Sequence, residues 1–292
     1  MQALRVTALL GSALYQDVGR RLVTSGVPVS GAFDRHAHEA GALLVGGTLA
    51  QASLEVLGLV ELVALVPVTC AVTGVGAVSI DGVQASSWTA MDVGAGSRIE
   101  VRAQGRAYLA VAGGFQPSME LGSRSTCVLG PIGPAPIGVG DLLPLGPASR
   151  AGTVGDFVRP PRWRPHVRVI AGPHLHLDPC TVRVVQASRI GIRVTAGRLR
   201  STGALESARS ALPSLGVLPG TIQVLPSGDW VLLGPDAGTM GGYPVAGVVV
   251  SPDLGALAHL DVGASLQLDV VSGVEDPVQG AVEIIRVRDL GS

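Results

Sequence analysis

One ten-residue phrase recurs in altered form in this chain. Asp92-Val93-Gly94-Ala95-Gly96-Ser97-Arg98-Ile99-Glu100-Val101 returns as Asp261-Val262-Gly263-Ala264-Ser265-Leu266-Gln267-Leu268-Asp269-Val270, and Gly140-Asp141-Leu142-Leu143-Pro144-Leu145 is a weaker third version. Each copy reads as a glycine turn feeding a short strand. Recurrence at matching positions marks a duplicated β-unit, with chance repetition of a common turn as the competing reading. Between the full copies lies Arg159-Pro160-Pro161-Arg162-Trp163-Arg164-Pro165, a proline- and arginine-rich stretch suited to a linker. The expected division is therefore 1–158 and 159–292.

The remaining signals also describe a mainly β protein. Hydrophobic residues make up 47% of the chain but aromatics only 3%, so a core must be assembled from Val, Leu, Ile and Ala. With 41 glycines and 20 prolines, this composition favours short strands joined by tight turns. Asp81-Gly82, between β-prone runs, predicts a hairpin. Arg98–Arg102, His166–Val169 and, less strictly, Glu283–Arg288 alternate polar and apolar as half-buried strands do. Helical signals are few: one stretch after Asp34, ending at Gly46-Gly47, and a shorter one from Asp253 to Leu260.

Charge and residue usage exclude several kinds of chemistry. A net charge of -1 gives no electrostatic footing for nucleic acid or an anionic membrane. No apolar run approaches the roughly 20 residues of a membrane helix, and the N-terminal residues lack a signal-peptide pattern, so a cytoplasmic protein is expected. Cys70, Cys127 and Cys180 form no C-x-x-C pair and fit reduced thiols. All 21 basic residues are arginine, and asparagine is absent. A lysine-bearing P-loop, a Schiff base and a lysine general base are thus impossible in this chain. Any anion would be held by arginine, backbone N–H groups or a helix N-terminus.

The turn Gly26-Val27-Pro28-Val29-Ser30-Gly31-Ala32-Phe33-Asp34 carries the densest chemistry. Pro28 fixes its own φ and biases Val27 toward extended geometry, while Gly26 and Gly31 permit angles and approaches that a Cβ would forbid. Asp34 stands where the N-cap of the following helix belongs. A rigid turn feeding a helix accounts for this block equally well on local chemistry.

Other motifs follow in order: Gln16-Asp17-Val18-Gly19-Arg20 before that turn, Leu54-Glu55 after it, then Arg106–Gly114 and Leu121-Gly122-Ser123-Arg124-Ser125-Thr126. Pro219–Val224 and Thr239-Met240-Gly241-Gly242-Tyr243-Pro244 stand in the second half. From about Gln16 to about Gly263 this series resembles a family named variously as the C subunit of the prokaryotic 5-oxoprolinase, allophanate hydrolase subunit 2, and the biotin-dependent carboxyltransferase domain of urea carboxylase. The resemblance implies a mainly β fold of two tandem cyclophilin-like β-barrel domains with few short helices. It also implies a partner, the family's subunit 1 (akin to the B subunit of 5-oxoprolinase), expected here as a separate chain. The leading expectation is a hetero-oligomeric enzyme that hydrolyses a small amide, 5-oxoproline, to glutamate with ATP. The alternatives are a non-catalytic regulatory subunit, paired with a subunit resembling a sensor-kinase inhibitor, and biotin-dependent carboxyl transfer to a urea-like amide. No covalently bound cofactor is expected; ATP belongs to the assembly, and biotin only to the carboxyl-transfer alternative.

Candidate site residues follow from what amide activation requires, namely donors aimed at developing negative charge. Asp34, Ser123, Arg124 and Ser125 are the catalytic candidates. Asp17, Arg20, Ser30, Gly113, Gly114, Thr126, Gln223, Gly241, Gly242 and Tyr243 are the substrate-binding candidates. Serine and threonine hydroxyls and the Arg124 fork suit a carboxylate or phosphate. The glycine pairs would let backbone N–H groups approach a ligand, or simply form tight turns. A structural ion pair is the preferred role for Arg20, Arg106 and Arg189, and core packing for Tyr108. The pocket is expected to involve the Gly26–Asp34 turn, the Leu121–Thr126 loop or the Gly241–Pro244 loop.

No metal site is expected. His174-Leu175-His176-Leu177-Asp178 has a metal-ligand spacing, but a solvated strand or loop face is the preferred reading. His36 and His38, two apart on the predicted helix, are expected at the surface. Against the family pattern, Gly41 and Gly47 replace asparagines, Met240 replaces a threonine, and the glycine-rich stretch before Gly140 lacks its usual arginine. These departures are expected to remove polar ligands rather than alter the fold.

Overall fold

A computed structural model describes residues 2–21, 26–148, 152–195, 213–272 and 282–287. The first half holds β1 (Ala3–Gln16), β2 (Ser53–Ala64), β3 (Val68–Ile80), β4 (Val83–Ala85), β5 (Met91–Val93), β6 (Arg98–Val111) and β7 (Leu142–Pro144). The second holds β8 (His166–Ala171), β9 (Cys180–Ala187), β10 (Gly191–Thr195), β11 (Leu215–Gly216), β12 (Thr221–Val224), β13 (Trp230–Leu233), β14 (Met240–Gly241), β15 (Val245–Val249) and β16 (Ser265–Val271). β10-β13-β12-β15-β8-β16-β9 close into a barrel around Trp230, Val169, Ile192, Leu232 and Leu268.

The first half shows the second barrel of the expected pair only in part. Its antiparallel sheet runs β4-β3-β6-β2-β1-β7, with β5 also on β3, and its ladder does not close among the described residues. The physical reason lies at its edges. β4 and β7 are three residues long, too short to carry a ladder around the circumference. Leu4, Val56, Leu62, Val72 and Leu109 fill the core on its inner face.

The repeated phrase has a structural counterpart, and there are three copies of it. Gly96 N–H donates to Ala64 C=O at 2.7 Å, while Ala64 N–H donates to Ser97 C=O at 2.9 Å. Gly140 and Asp141 make the same exchange with Val6, and Gly263 and Ala264 with Val184. All three glycines sit at positive φ, between 86° and 93°, which explains their shared identity. The literal alignment pairs Gly94 with Gly263, whereas the structure pairs Gly96 with it. Because side chains alternate with a period of two, this offset leaves the inward face intact: Ile99 and Val101 match Leu266 and Leu268, all fully buried.

Local expectations fare well around the turns. Asp81 and Gly82, both at positive φ, form the β3–β4 hairpin. Helix α1 (Arg35–Leu44) starts at Asp34, whose carboxylate accepts from Ala37 N–H at 3.1 Å, and Gly46 follows its end at φ 73°. The predicted shorter helix is a 3-10 turn, Ser251–Asp253, leading into α2 (Leu254–Leu257). Gly41 proves to be a packing position, since a Cβ there would lie 3.2 Å from Ala110 and Thr73. Glu283–Arg288 is not a strand in the described part. Only Ile285 pairs, through a single bridge to Phe157, and Arg288 lies outside the described residues. Among the described residues, no helix is long and apolar enough to cross a membrane.

Candidate functional site

The Gly26–Asp34 turn sits between the halves, and its backbone is tied down group by group. Val29 C=O accepts from Arg20 N–H at 2.7 Å, Ser30 N–H donates to Pro235 C=O at 2.8 Å, and Gly31 C=O accepts from Arg189 Nη2 at 2.7 Å. Ala32 N–H donates to Asp17 C=O, Phe33 N–H to Glu55 Oε2 and Asp34 N–H to the Tyr108 hydroxyl. Pro235 and Arg189 come from the second half, the other partners from the first. Gly31, at φ 79°, leaves no room for a side chain, because a Cβ would stand 2.7 Å from Gly19 N. Ser30 holds a left-handed φ of 54°, an uncommon state for a residue with a Cβ and one that clusters at functional sites.

Behind the turn lies a buried charge network. Glu55, inside β2, receives Arg106 Nη1 at 3.1 Å, Arg189 Nη1 at 2.7 Å and the Tyr108 hydroxyl at 2.8 Å. Arg189 also forks onto Asp236 through Nε at 2.8 Å and Nη2 at 3.1 Å. Burial alone would raise the Glu55 carboxyl, but the Arg189 and Arg106 charges and hydrogen bonds outweigh it and bring it to about 2. Burial and the neighbouring Glu55 and Asp34 push the Tyr108 hydroxyl well above its ordinary value. Tyr108 is thus a core residue, as expected, with a hydrogen-bonded tip. The expected ion pairs of Arg106 and Arg189 are present, with Glu55 and Asp236 as their partners.

Arg20 differs from that expectation. It is 2% exposed, donates from Nη2 to Ser125 C=O at 2.6 Å, and makes no ion pair among the described residues; its Nε and Nη1 have no partner there.

A second polar centre belongs to the first half alone. Asp17 accepts from the hydroxyls of Ser123 (2.7 Å) and Ser125 (2.6 Å) and from the N–H groups of Gly19 (2.8 Å) and Arg124 (2.7 Å). Burial favours the neutral acid, yet the bonds from Ser125, Arg124, Ser123 and Gly19 together hold the carboxyl below its ordinary value. Thr126 N–H donates to Tyr15 C=O, and Arg124 Nη2 to Gln116 Oε1. Here the serine hydroxyls brace a loop through Asp17.

A cavity of about 440 Å³ opens against the turn. Val18, Val29, Ser30, Phe33 and Asp34 form one wall, and Pro219, Pro235, Ser251, Leu254 and Gly255 of the second half form the other. Arg35, His36 and Glu39 of α1 close one end. Of the candidates, Ser30 and Asp34 therefore line the cavity. Asp17, Arg20, Ser123, Arg124, Ser125 and Thr126 gather behind the turn around Asp17. Gln223, Gly241, Gly242 and Tyr243 lie apart from these, and a Cβ at Gly241 would press on Gln223 Nε2, an atom without a partner among the described residues. Gly113 and Gly114 pack against Gly146 and Gln51 at positive φ. Neither the Leu121–Thr126 loop nor the Gly241–Pro244 loop lines the cavity.

The histidines also correct the sequence reading. His38 is 1% exposed, not a surface residue, and hydrogen-bonds Ser53 Oγ and Leu49 C=O; burial lowers its pKa. His174 and His176 lie outside any strand. His176 faces Asp178 at 3.1 Å, and His174 Nδ1 accepts from Val245 N–H. No group of three or more His, Cys, Asp or Glu among the described residues is arranged to hold a metal ion.

Sequence reasoning did not find Asp236 or His259 as site residues. Glu55 did leave a signal, a carboxylate in the otherwise apolar run Leu54–Val60.

Fold and site together define a β protein whose two halves enclose a small cavity against a glycine-rich turn. The chain belongs to the family described as carboxyltransferase domain, subdomain A and B, which it matches over residues 25–270. It is 30% identical over 265 residues to the C subunit of 5-oxoprolinase from Escherichia coli (strain K12), covering 84% of each chain. Among solved structures, TTHA0988 superimposes with a TM-score of 0.83 at 27% identity, over 93% of this chain and 56% of that one. The urea amidolyase of Kluyveromyces lactis shares the fold, with a TM-score of 0.82 at 23% identity, over 91% of this chain and 18% of that one. This chain thus spans little more than half of the first of these structures and a small part of the second.

Proposed function

We propose that this chain is one subunit of a hetero-oligomeric enzyme that opens 5-oxoproline to glutamate with ATP hydrolysis, and that its cavity holds the cyclic amide. The likeness to the C subunit of a 5-oxoprolinase over most of both chains carries the reading. The cavity supports it chemically. Its valine, proline and phenylalanine walls suit a small ring. Behind one of these walls the buried Asp34 carboxylate accepts one hydrogen bond on each oxygen, which keeps it poised next to the cavity. Ser30, whose Oγ has no partner among the described residues, supplies a hydroxyl at the same wall.

The cavity offers little positive charge to a nucleoside triphosphate. Arg35 is the single arginine or lysine of its lining, against the carboxylates Asp34 and Glu39. This lining favours nucleotide binding elsewhere in the assembly. The test is reconstitution: this chain, its partner subunits, 5-oxoproline and ATP should yield glutamate, and Asp34→Asn should abolish most of it. Silence from the complete assembly, with unchanged affinity between subunits, would replace catalysis by the regulatory reading. The family description favours a second reaction, carboxyl transfer, which biotin-dependent labelling of a urea-like amide would reveal.

A further inference from the structure

We infer that His259 is the positioning residue of Asp34, reaching from the second half to fix the buried carboxylate of this cavity-wall residue; the inference rests on the proposed role of Asp34. Asp34 Oδ1 is already engaged by the start of α1, through Ala37 N–H. Helix capping needs nothing more of this side chain. Its other oxygen, Oδ2, meets His259 Nε2 at 2.9 Å across 225 residues of sequence. The Asp34 side chain is fully buried and that of His259 is 7% exposed.

The histidine's protonation state follows from its partners. Nδ1 faces Arg106 N–H at 3.3 Å, and a backbone N–H can only donate, so Nδ1 accepts. The proton of the neutral ring is then on Nε2, aimed at Asp34. Trp163 packs on the imidazole with ring centroids 4.6 Å apart, which fixes the ring plane. Two glycines make room for the pair. A Cβ at Gly105 would stand 2.9 Å from His259 Nδ1, and one at Gly255 would stand 3.0 Å from Asp34 Oδ1. Gly255 also lines the cavity. A donor of fixed tautomer, held on one carboxylate oxygen by a separate part of the chain, is the arrangement by which a base is oriented toward its substrate. The carboxylate of the first half is therefore aimed by the second, and the cavity is chemically complete only when both halves are docked.

Two measurements test this, one of them independent of any reaction. In the full chain labelled with 15N-histidine, His259 should show the neutral Nε2–H tautomer, with an Nε2 proton resonance that moves in Asp34→Asn. An Nδ1–H tautomer, or a resonance indifferent to that substitution, overturns the contact. In the reconstituted assembly, His259→Leu should lower kcat roughly 10- to 100-fold with KM little changed, as expected for a misplaced reacting group. His259→Gln, which keeps a donor near the Nε2 position, should restore most of the loss. A lower melting temperature with kcat intact would make His259 a structural contact and overturn the inference. If the wild-type assembly makes no glutamate, the reaction is refuted, and the resonance arm still decides whether His259 holds Asp34.

Discussion

Two buried carboxylates in this molecule are satisfied in opposite ways. Asp17 is held by four neutral donors, two hydroxyls and two backbone N–H groups, all from the first half. Glu55 is held by two guanidinium groups, one from each half. The hydroxyl cage pins the Ser123–Ser125 segment to the end of β1; the ion network joins the halves and backs the wall of the cavity. Gly19 N–H aside, both sets of donors are brought in by the fold, from 106–108 residues away at Asp17 and from 51 and 134 at Glu55, but only the second set draws on both halves. The first arrangement is thus local in its consequences and the second global.

Breaking the network should have the largest effect. Arg189→Leu would leave Asp236, among the described residues, with only the Val128 N–H donor and would remove one of the two charges on Glu55. Stripping one partner from a buried ion pair costs about 3–5 kcal/mol, to be read as a lower urea midpoint at unchanged slope. A loss below about 1 kcal/mol, the scale of a surface pair, would remove the distinction between the two centres. The acid limb of stability should follow Glu55 next. Its folded carboxyl is depressed to about 2 from an ordinary 4.5, so its contribution is full above the ordinary value and lost as pH falls toward 2. Glu55→Gln should therefore flatten the fall in stability between about pH 4.5 and pH 2, measured by urea unfolding across that range.

Asp17→Asn should cost less, about 1–3 kcal/mol for weakened bonds to a formerly charged acceptor. It should also act locally. Faster amide exchange in Ser123–Cys127, without faster exchange in the barrel strands, is the expected pattern, and loosening of both halves would count against it. The smallest effect belongs to Ser30→Gly. Relief of a left-handed serine should be neutral or stabilising by about 1 kcal/mol in thermal unfolding, while ligand affinity falls if its hydroxyl serves the cavity.

Sequence pattern made the short-range features legible. The Asp81-Gly82 hairpin, the Asp34 cap and the glycine turns before β6, β7 and β16 are local chemistry, and local chemistry is written in adjacent residues. The register of the repeat was less legible, because an alternating strand tolerates a two-residue offset without changing its inward face. The site was legible only on the side of the turn. Asp34 meets His259, and Glu55 meets Arg189, through contacts 225 and 134 residues apart in sequence, which no spacing rule reaches. His38 misled for a related reason. A period argument places it off the face of His36, but it is β2 packing beside the helix that buries it.

The single bridge between Ile285 and Phe157, joined by Val287 N–H on Asp156, sends the late chain back to the early one. Val282 and Ile284 there cover the cluster of Trp88, Tyr108 and Val158. A ribosome releasing this polypeptide would finish the barrel before supplying the last cover for the sheet that precedes it. Part of the apolar surface of the earlier half is thus reserved for residues translated well after its own strands.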